Sequence, residues 1–191
     1  MTADDFLAWP GDGTGRTFQL VDGEVRPVSA AARIHAAVQS RLGHFLQLAI
    51  DKADPDYEVL TEAAIQPGLN AAMNVRVPDL VVAPPTGQQG DQTVPDPILV
   101  IEVLSPGNQD DTRDNVRACA TLPSVQEIAV VHSTRILAEV HRRGPDGAWV
   151  ANPGLVKSGE PLCLLGNTVD FVLDGAYART YLARQSFFQS K

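Results

Sequence analysis

Two acidic residues stand in apolar company. Asp79 lies in "VRVPDLVVA" and Glu102 in "ILVIEVLSP", runs otherwise dominated by Val, Ile and Leu. Both runs read as strands of a buried sheet. Side chains alternate faces along a strand, so Asp79 shares a face with Val77 and Val81, and Glu102 with Val100 and Leu104. If the two strands are neighbours, as their order favours, one register sets both carboxylates side by side. Two unpaired charges buried there would repel and cost several kcal/mol each. Protonation, a basic partner or a metal ion must offset that cost. Mg²⁺ or Mn²⁺ suits the position, because one or two carboxylates hold it while water and phosphate oxygens fill the remaining sites. The backbone carbonyl of Val103 could add a ligand. Such an ion polarises a phosphodiester and lowers the pKa of a water it holds. The bland alternative is that one acid caps a strand end or pairs with Arg76 or Arg113.

The elements that would position these acids follow from periodicity. "RTFQLVDGEVRPVS" is an N-terminal hairpin closed by Asp22-Gly23, with Glu24 directly after the turn. From Ala30 to Asp51 the period changes, and Ile34, Val38, Leu42, Phe45 and Ala49 mark one face of an amphipathic helix with Ser29 as N-cap. His35 and Gln39 run beside that face. "YEVLTEAAIQP", "EIAVVHS" and "ILAEVHRR" read as further strands, and Thr112–Thr121 as a short helix. "PTGQQGDQTVPDP" reads as an exposed, mobile loop, and Asp174 to Gln185 as a terminal helix with Tyr177, Tyr181 and Leu182 on one side. The expectation is one mixed α/β (α+β) domain over 1–191, with a core at about 16–143 and a C-terminal extension at 144–191.

Composition narrows the function classes. The formal charge of −8 is opposite to the basic footprint of a passive nucleic-acid binder. It leaves room for a nucleic-acid enzyme, since bound cations reverse the sign around a site. No apolar window reaches membrane-span length and the start "MTADDFLAWP" has no signal-peptide pattern, so the cytoplasm is the expected location. Cys119 and Cys163 fit no zinc or disulfide pattern. The four histidines show no HExxH spacing, Ser105 is not in a GxSxG elbow, and "PTGQQG" lacks the GK[ST] of a phosphate loop. Asp110, Asp111 and Asp114 read as a helix-starting acidic cluster.

"PD" opening one strand, followed by an acid inside the next, resembles the PD-(D/E)xK nuclease superfamily. More closely, "FLAWPGDG", "FQLVDGEVRPVS", "IHAAVQSRL", "VPDLVVA", "IEVLSPGN" and "LPSVQEIAVV" resemble, in order, the bacterial Uma-type restriction-endonuclease family, from about Phe6 to Arg143. The resemblance implies a restriction-endonuclease-like fold, a central mixed sheet flanked by helices. It implies Asp79 and Glu102 as metal-binding acids, Glu24 as an acid near the site, and His35 as the family's helix-start histidine. One position departs. The superfamily's lysine, two residues after the second acid, is Leu104 here, and the only lysines are Lys52, Lys157 and Lys191. Arg113 or Arg117 could supply positive charge to a phosphate, although a guanidinium is a poor general base.

The sequence therefore leads to a Mg²⁺- or Mn²⁺-dependent endonuclease acting on DNA, with a homodimer as the default assembly. The alternative is a nuclease-like fold without hydrolytic activity that serves as a binding or scaffold protein.

Overall fold

The Asp22-Gly23 pair closes a hairpin of β1 (Phe18–Val21) and β2 (Glu24–Pro27). Both turn residues have positive φ, 49° and 85°, which is the backbone of a type I′ turn and matches the twist of its strands. The hairpin is tied to the segment ahead of Asp79: Leu20 and Val75 exchange backbone bonds of 2.8 and 3.0 Å. Helix α1 (Ala3–Leu7), started by a Thr2–Asp5 capping box, packs Ala3 into the same small cluster as Leu20 and Val75. The structure is a computed structural model and describes residues 1–53, 56–85 and 90–184.

Among the described residues six strands form the central sheet, in the order β3 (Glu58–Thr61), β4 (Leu80–Ala83), β5 (Leu99–Leu104), β6 (Glu127–His132), β7 (Leu137–Arg142), β8 (Gly154–Lys157). Strands β5 and β6 are parallel, joined through α3 (Gln109–Cys119); the other neighbours are antiparallel. A parallel pair needs such a crossover, so α3 is forced across one face of the sheet. There Cys119 packs with Val81, Val100 and Ile128. The opposite face carries Leu80, Val82, Ile101 and Val103 and is covered by α2 (Arg33–Ala53). Alternation along β4 and β5 thus gives each helix its own set of side chains. The fold is mixed α+β, with a central mixed sheet flanked by helices. No described helix is long and apolar enough to cross a membrane.

Several expectations need correction. Helix α2 begins at Arg33, three residues after Ala30, so Ser29 is not its N-cap. Its fully buried stripe is Val38, Leu42, Leu46 and Ile50; Phe45 turns aside to stack on Phe171, with ring centroids 4.4 Å apart. Helix α3 starts at Gln109, which places Asp110 and Asp111 in its first turn, where the helix dipole favours them. The loop around residue 90 is anchored: Gln92 donates to the Leu7 carbonyl at 2.7 Å and the Val94 N–H to Ala64 at 2.8 Å. Residues 86–89 of that loop lie outside the described residues.

The C-terminal extension contains β8, β9 (Pro161–Leu164) and β10 (Val169–Val172), none of them expected. Strands β9 and β10 form a hairpin through Leu165, Gly166 and Asn167, all at positive φ. The helix expected from Asp174 is instead a 3₁₀ turn (Leu173–Tyr177), broken at Arg179 by φ of 62° and followed by a helical turn at 181–184. Gln185 lies outside the described residues. Tyr177 is wholly buried and donates its hydroxyl to the His132 carbonyl at 2.6 Å. Leu162, Leu164, Val169 and Leu173 share the core of α2, so the extension completes the sheet's apolar layer.

Glu139 on β7 anchors α3 electrostatically. Arg113 donates to both its oxygens at 2.7 and 2.8 Å, and Nε2 of His132 lies 2.8 Å away. The Arg113 fork, with help from His132, lowers the Glu139 pKa to about 2. A depressed carboxylate pKa contributes stability above the unfolded value, lost as pH falls through the folded one. Glu139→Gln should therefore destabilise the protein at pH 7 by about 1–2 kcal/mol, discounted for the partly exposed Arg113. In denaturant titrations the difference from wild type should shrink between about pH 4.5 and 2.

Candidate active site

Strand β4 starts at Leu80, opposite Ile101 of β5. One step further, the same register sets Asp79 beside Glu102, and a second step sets Pro78 beside Val103. Proline has no N–H to give the Val103 carbonyl, and the chain bends at Asp79. The Asp79 carboxylate turns into the opening, where Oδ2 accepts the Val103 N–H at 2.5 Å. Pro78 thus ends the ladder and Asp79 caps it. The capping role weighed as the bland alternative and a place beside Glu102 coincide in one residue.

His35 holds the other oxygen. It sits in the first turn of α2, its Nε2 2.8 Å from Asp79 Oδ1 and its Nδ1 3.2 Å from Ser105 Oγ. A carboxylate oxygen accepts, so Nε2 donates to Asp79, and Nδ1 shares a hydrogen bond with the Ser105 hydroxyl. Ser133 Oγ lies 2.9 Å from Ser105 Oγ, which links β6 into the chain. Gln39, one turn along α2, donates to the Asp79 main-chain carbonyl at 3.1 Å.

Glu102 is 4% exposed. Burial, reinforced by the Asp79 charge, raises its pKa well above the usual carboxylate range. Its hydrogen bond comes from α3, where Asn115 Nδ2 donates to Oε1 at 3.1 Å. Asn115 in turn accepts from buried Arg76 at 3.3 Å, and Arg76 also donates to Asn74 at 2.9 Å. Arg76 therefore reaches Glu102 through a neutral amide. Among the described residues, no arginine or lysine forms an ion pair with Asp79 or Glu102.

Both acids line one cavity of about 300 Å³. His35, Asn115, Glu62 and Gln19 line it as well, and Arg16 is the cationic residue in its wall. The other candidates lie elsewhere. Glu24 is exposed on the hairpin and paired with Arg26 at 3.0 Å, because it stands outside the turn rather than on the buried side of β1. Arg113 is spent on Glu139, and Arg117 lies on the exposed side of α3 against Asp114. Helix periodicity explains this: Asn115 is the α3 position that faces the sheet at Glu102. Sequence reading missed Gln19, Glu62 and Asn115 as site residues; Arg76, weighed as a direct partner of an acid, reaches Glu102 only through Asn115. The alternation of "FQLV" marked Gln19 as a polar residue in a strand, the one signal that could have drawn attention to it.

The donor set suits a hard divalent ion. Among the described residues no group of three or more His, Cys, Asp or Glu is placed to hold a metal ion; Asp79 and Glu102 are two carboxylates of the kind that could hold Mg²⁺. The Val103 carbonyl has a 3.4 Å contact from Asn108 Nδ2 and keeps room for another partner.

Fold and site together define a restriction-endonuclease-like protein. The family model described as "Uma2: Putative restriction endonuclease" matches residues 3–165, and the chain belongs to that family. It is 22% identical over 152 residues to "Uncharacterized protein slr1290" of Synechocystis, covering 78% of each chain. A crystal structure described as "a putative nuclease belonging to DUF820", from Anabaena variabilis, superposes with a TM-score of 0.75 at 16% identity, covering 93% of this chain and 98% of that one. That likeness establishes the fold.

Glu102 has a testable cost. With its folded pKa raised, the native state holds a proton that the unfolded chain releases, so stability falls as pH rises above about 4.5. Glu102→Gln, which needs no proton, should melt a few degrees above wild type at pH 7 in EDTA, at ~2–4 °C per kcal/mol for a chain of this length. The gain should vanish near pH 4 in calorimetric scans. A mutant that melts below wild type at pH 7 would contradict the assignment.

Proposed function

We propose that this chain is a divalent-cation-dependent phosphodiesterase acting on DNA. One observation carries the reading: two carboxylates line a single cavity, and among the described residues neither is paired with an arginine or lysine. Asp79, Glu102 and the Val103 carbonyl would hold the ion. When bound, Mg²⁺ or Mn²⁺ supplies Lewis acidity to a phosphodiester and acidifies an attacking water. The chain's own residues do the positioning. His35 and the Val103 N–H fix both oxygens of Asp79, and Asn115 fixes Glu102. Arg16, at the cavity wall, replaces Arg113 and Arg117 as the proposed phosphate contact, and to reach a phosphate it would exchange its exposed 2.9 Å pair with Asp12. The reading takes the cytoplasm as the compartment and a homodimer as the default assembly.

A second reading has its own support. Position 104 is Leu, and the α3 side chain that reaches Glu102 is a neutral amide. Without an ammonium beside the acids the chain would bind substrate without hydrolysing it.

Supercoiled and single-stranded DNA incubated with Mg²⁺ or Mn²⁺ separates the two. Wild type should nick or cut, and Asp79→Ala and Glu102→Ala should both abolish cutting. The cation-induced rise in melting temperature should disappear in both mutants, a loss of at least the ~10–100-fold in metal affinity that outer-shell changes cause. A wild type that neither cuts nor shifts its melting with cation supports the binding protein.

A further inference from the structure

We propose that the cavity takes one unpaired nucleotide of a single-stranded nucleic acid; this rests on the nuclease-class reading above. Two buried atoms point to a ligand. Gln19 is 4% exposed and Thr112 1%, and both line the cavity from opposite sides, β1 and α3. Gln19 Oε1 and Thr112 Oγ1 have no hydrogen-bond partner among the described residues. Buried polar atoms normally find partners, and a splayed-out base offers donors and acceptors along its edges. Amide and hydroxyl side chains are among the usual groups that read such edges.

Size and charge disfavour an intact duplex. A cavity of about 300 Å³ suits one extruded nucleotide, as in enzymes that work on a flipped base. Glu62, Asp79, Glu102 and Asp111 line it against Arg16, on a chain of formal charge −8. A duplex carries a phosphate per ~1.7 Å of axis and one strand half that density, so the single strand meets less repulsion.

The test is fluorescence anisotropy with a labelled single-stranded oligodeoxynucleotide, its RNA counterpart and the blunt duplex of the same sequence, at low salt with Ca²⁺. Ca²⁺ takes the same oxygen ligands as Mg²⁺. At least one single strand should bind tenfold or more tighter than the duplex. Gln19→Leu and Thr112→Val should each weaken that binding about three- to tenfold. Without ligand both should melt at or above wild type, since each removes an unpartnered polar group. If Gln19→Leu does not fold, Thr112→Val carries the comparison. A duplex bound or cut as well as the single strand overturns the inference and leaves the nuclease reading standing. No binding of any of the three overturns both, and unchanged affinity in the folded variants overturns the pocket assignment.

Discussion

The structure turns on two carboxylates forced into one cavity with, among the described residues, no arginine or lysine paired to either. Water would solvate such charges; a packed sheet cannot. The chain meets the difficulty with hydrogen bonds: a backbone N–H and an imidazole for Asp79, and a carboxamide for Glu102. Each donor fixes the direction of a carboxylate oxygen. Burial and the neighbouring Asp79 keep Glu102 inclined to hold its proton when no cation is present.

Pro78 is the backbone half of this arrangement. Where β4 would continue to pair with β5, proline withholds an N–H from the Val103 carbonyl and the paired strand stops at Leu80. The Val103 N–H goes to the Asp79 carboxylate instead of to a strand partner. From that point bonds radiate to α2 through His35, to β6 through Ser105 and Ser133, and to α3 through Asn115. Disturbing any of these elements would move an acid, and so the fold and the site are hard to separate energetically.

The N-terminal hairpin plays a different part. It forms its own two-stranded sheet, yet Leu20 pairs with Val75 and carries Gln19 to the cavity wall. The rim is thus built from the hairpin and the floor from the central sheet. A low density of positive charge around this opening distinguishes it from the basic channels expected of duplex binders.

Local rules along the chain determined much of this protein. Asp22-Gly23 demanded a hairpin, the three- and four-residue spacing from Ile34 demanded α2, and the unbroken apolar run at residues 98–104 demanded a central strand. The two acids were legible because a charge inside such a run contradicts its surroundings, and their shared side followed from strand alternation. Helix phase was beyond that reach. Asn115, rather than Arg113 or Arg117, meets Glu102 because the crossover between β5 and β6 sets the rotation of α3. Glu24 was placed too near the acids because turn proximity in sequence says nothing about which side of the hairpin faces the sheet. Strands β8 to β10 escaped notice because their short segments gain stability from the core they join, not from their own pattern. Periodicity and turn chemistry act over a few residues and are written in the chain; which polar side chains converge is settled by long-range packing, and that only the tertiary structure decided.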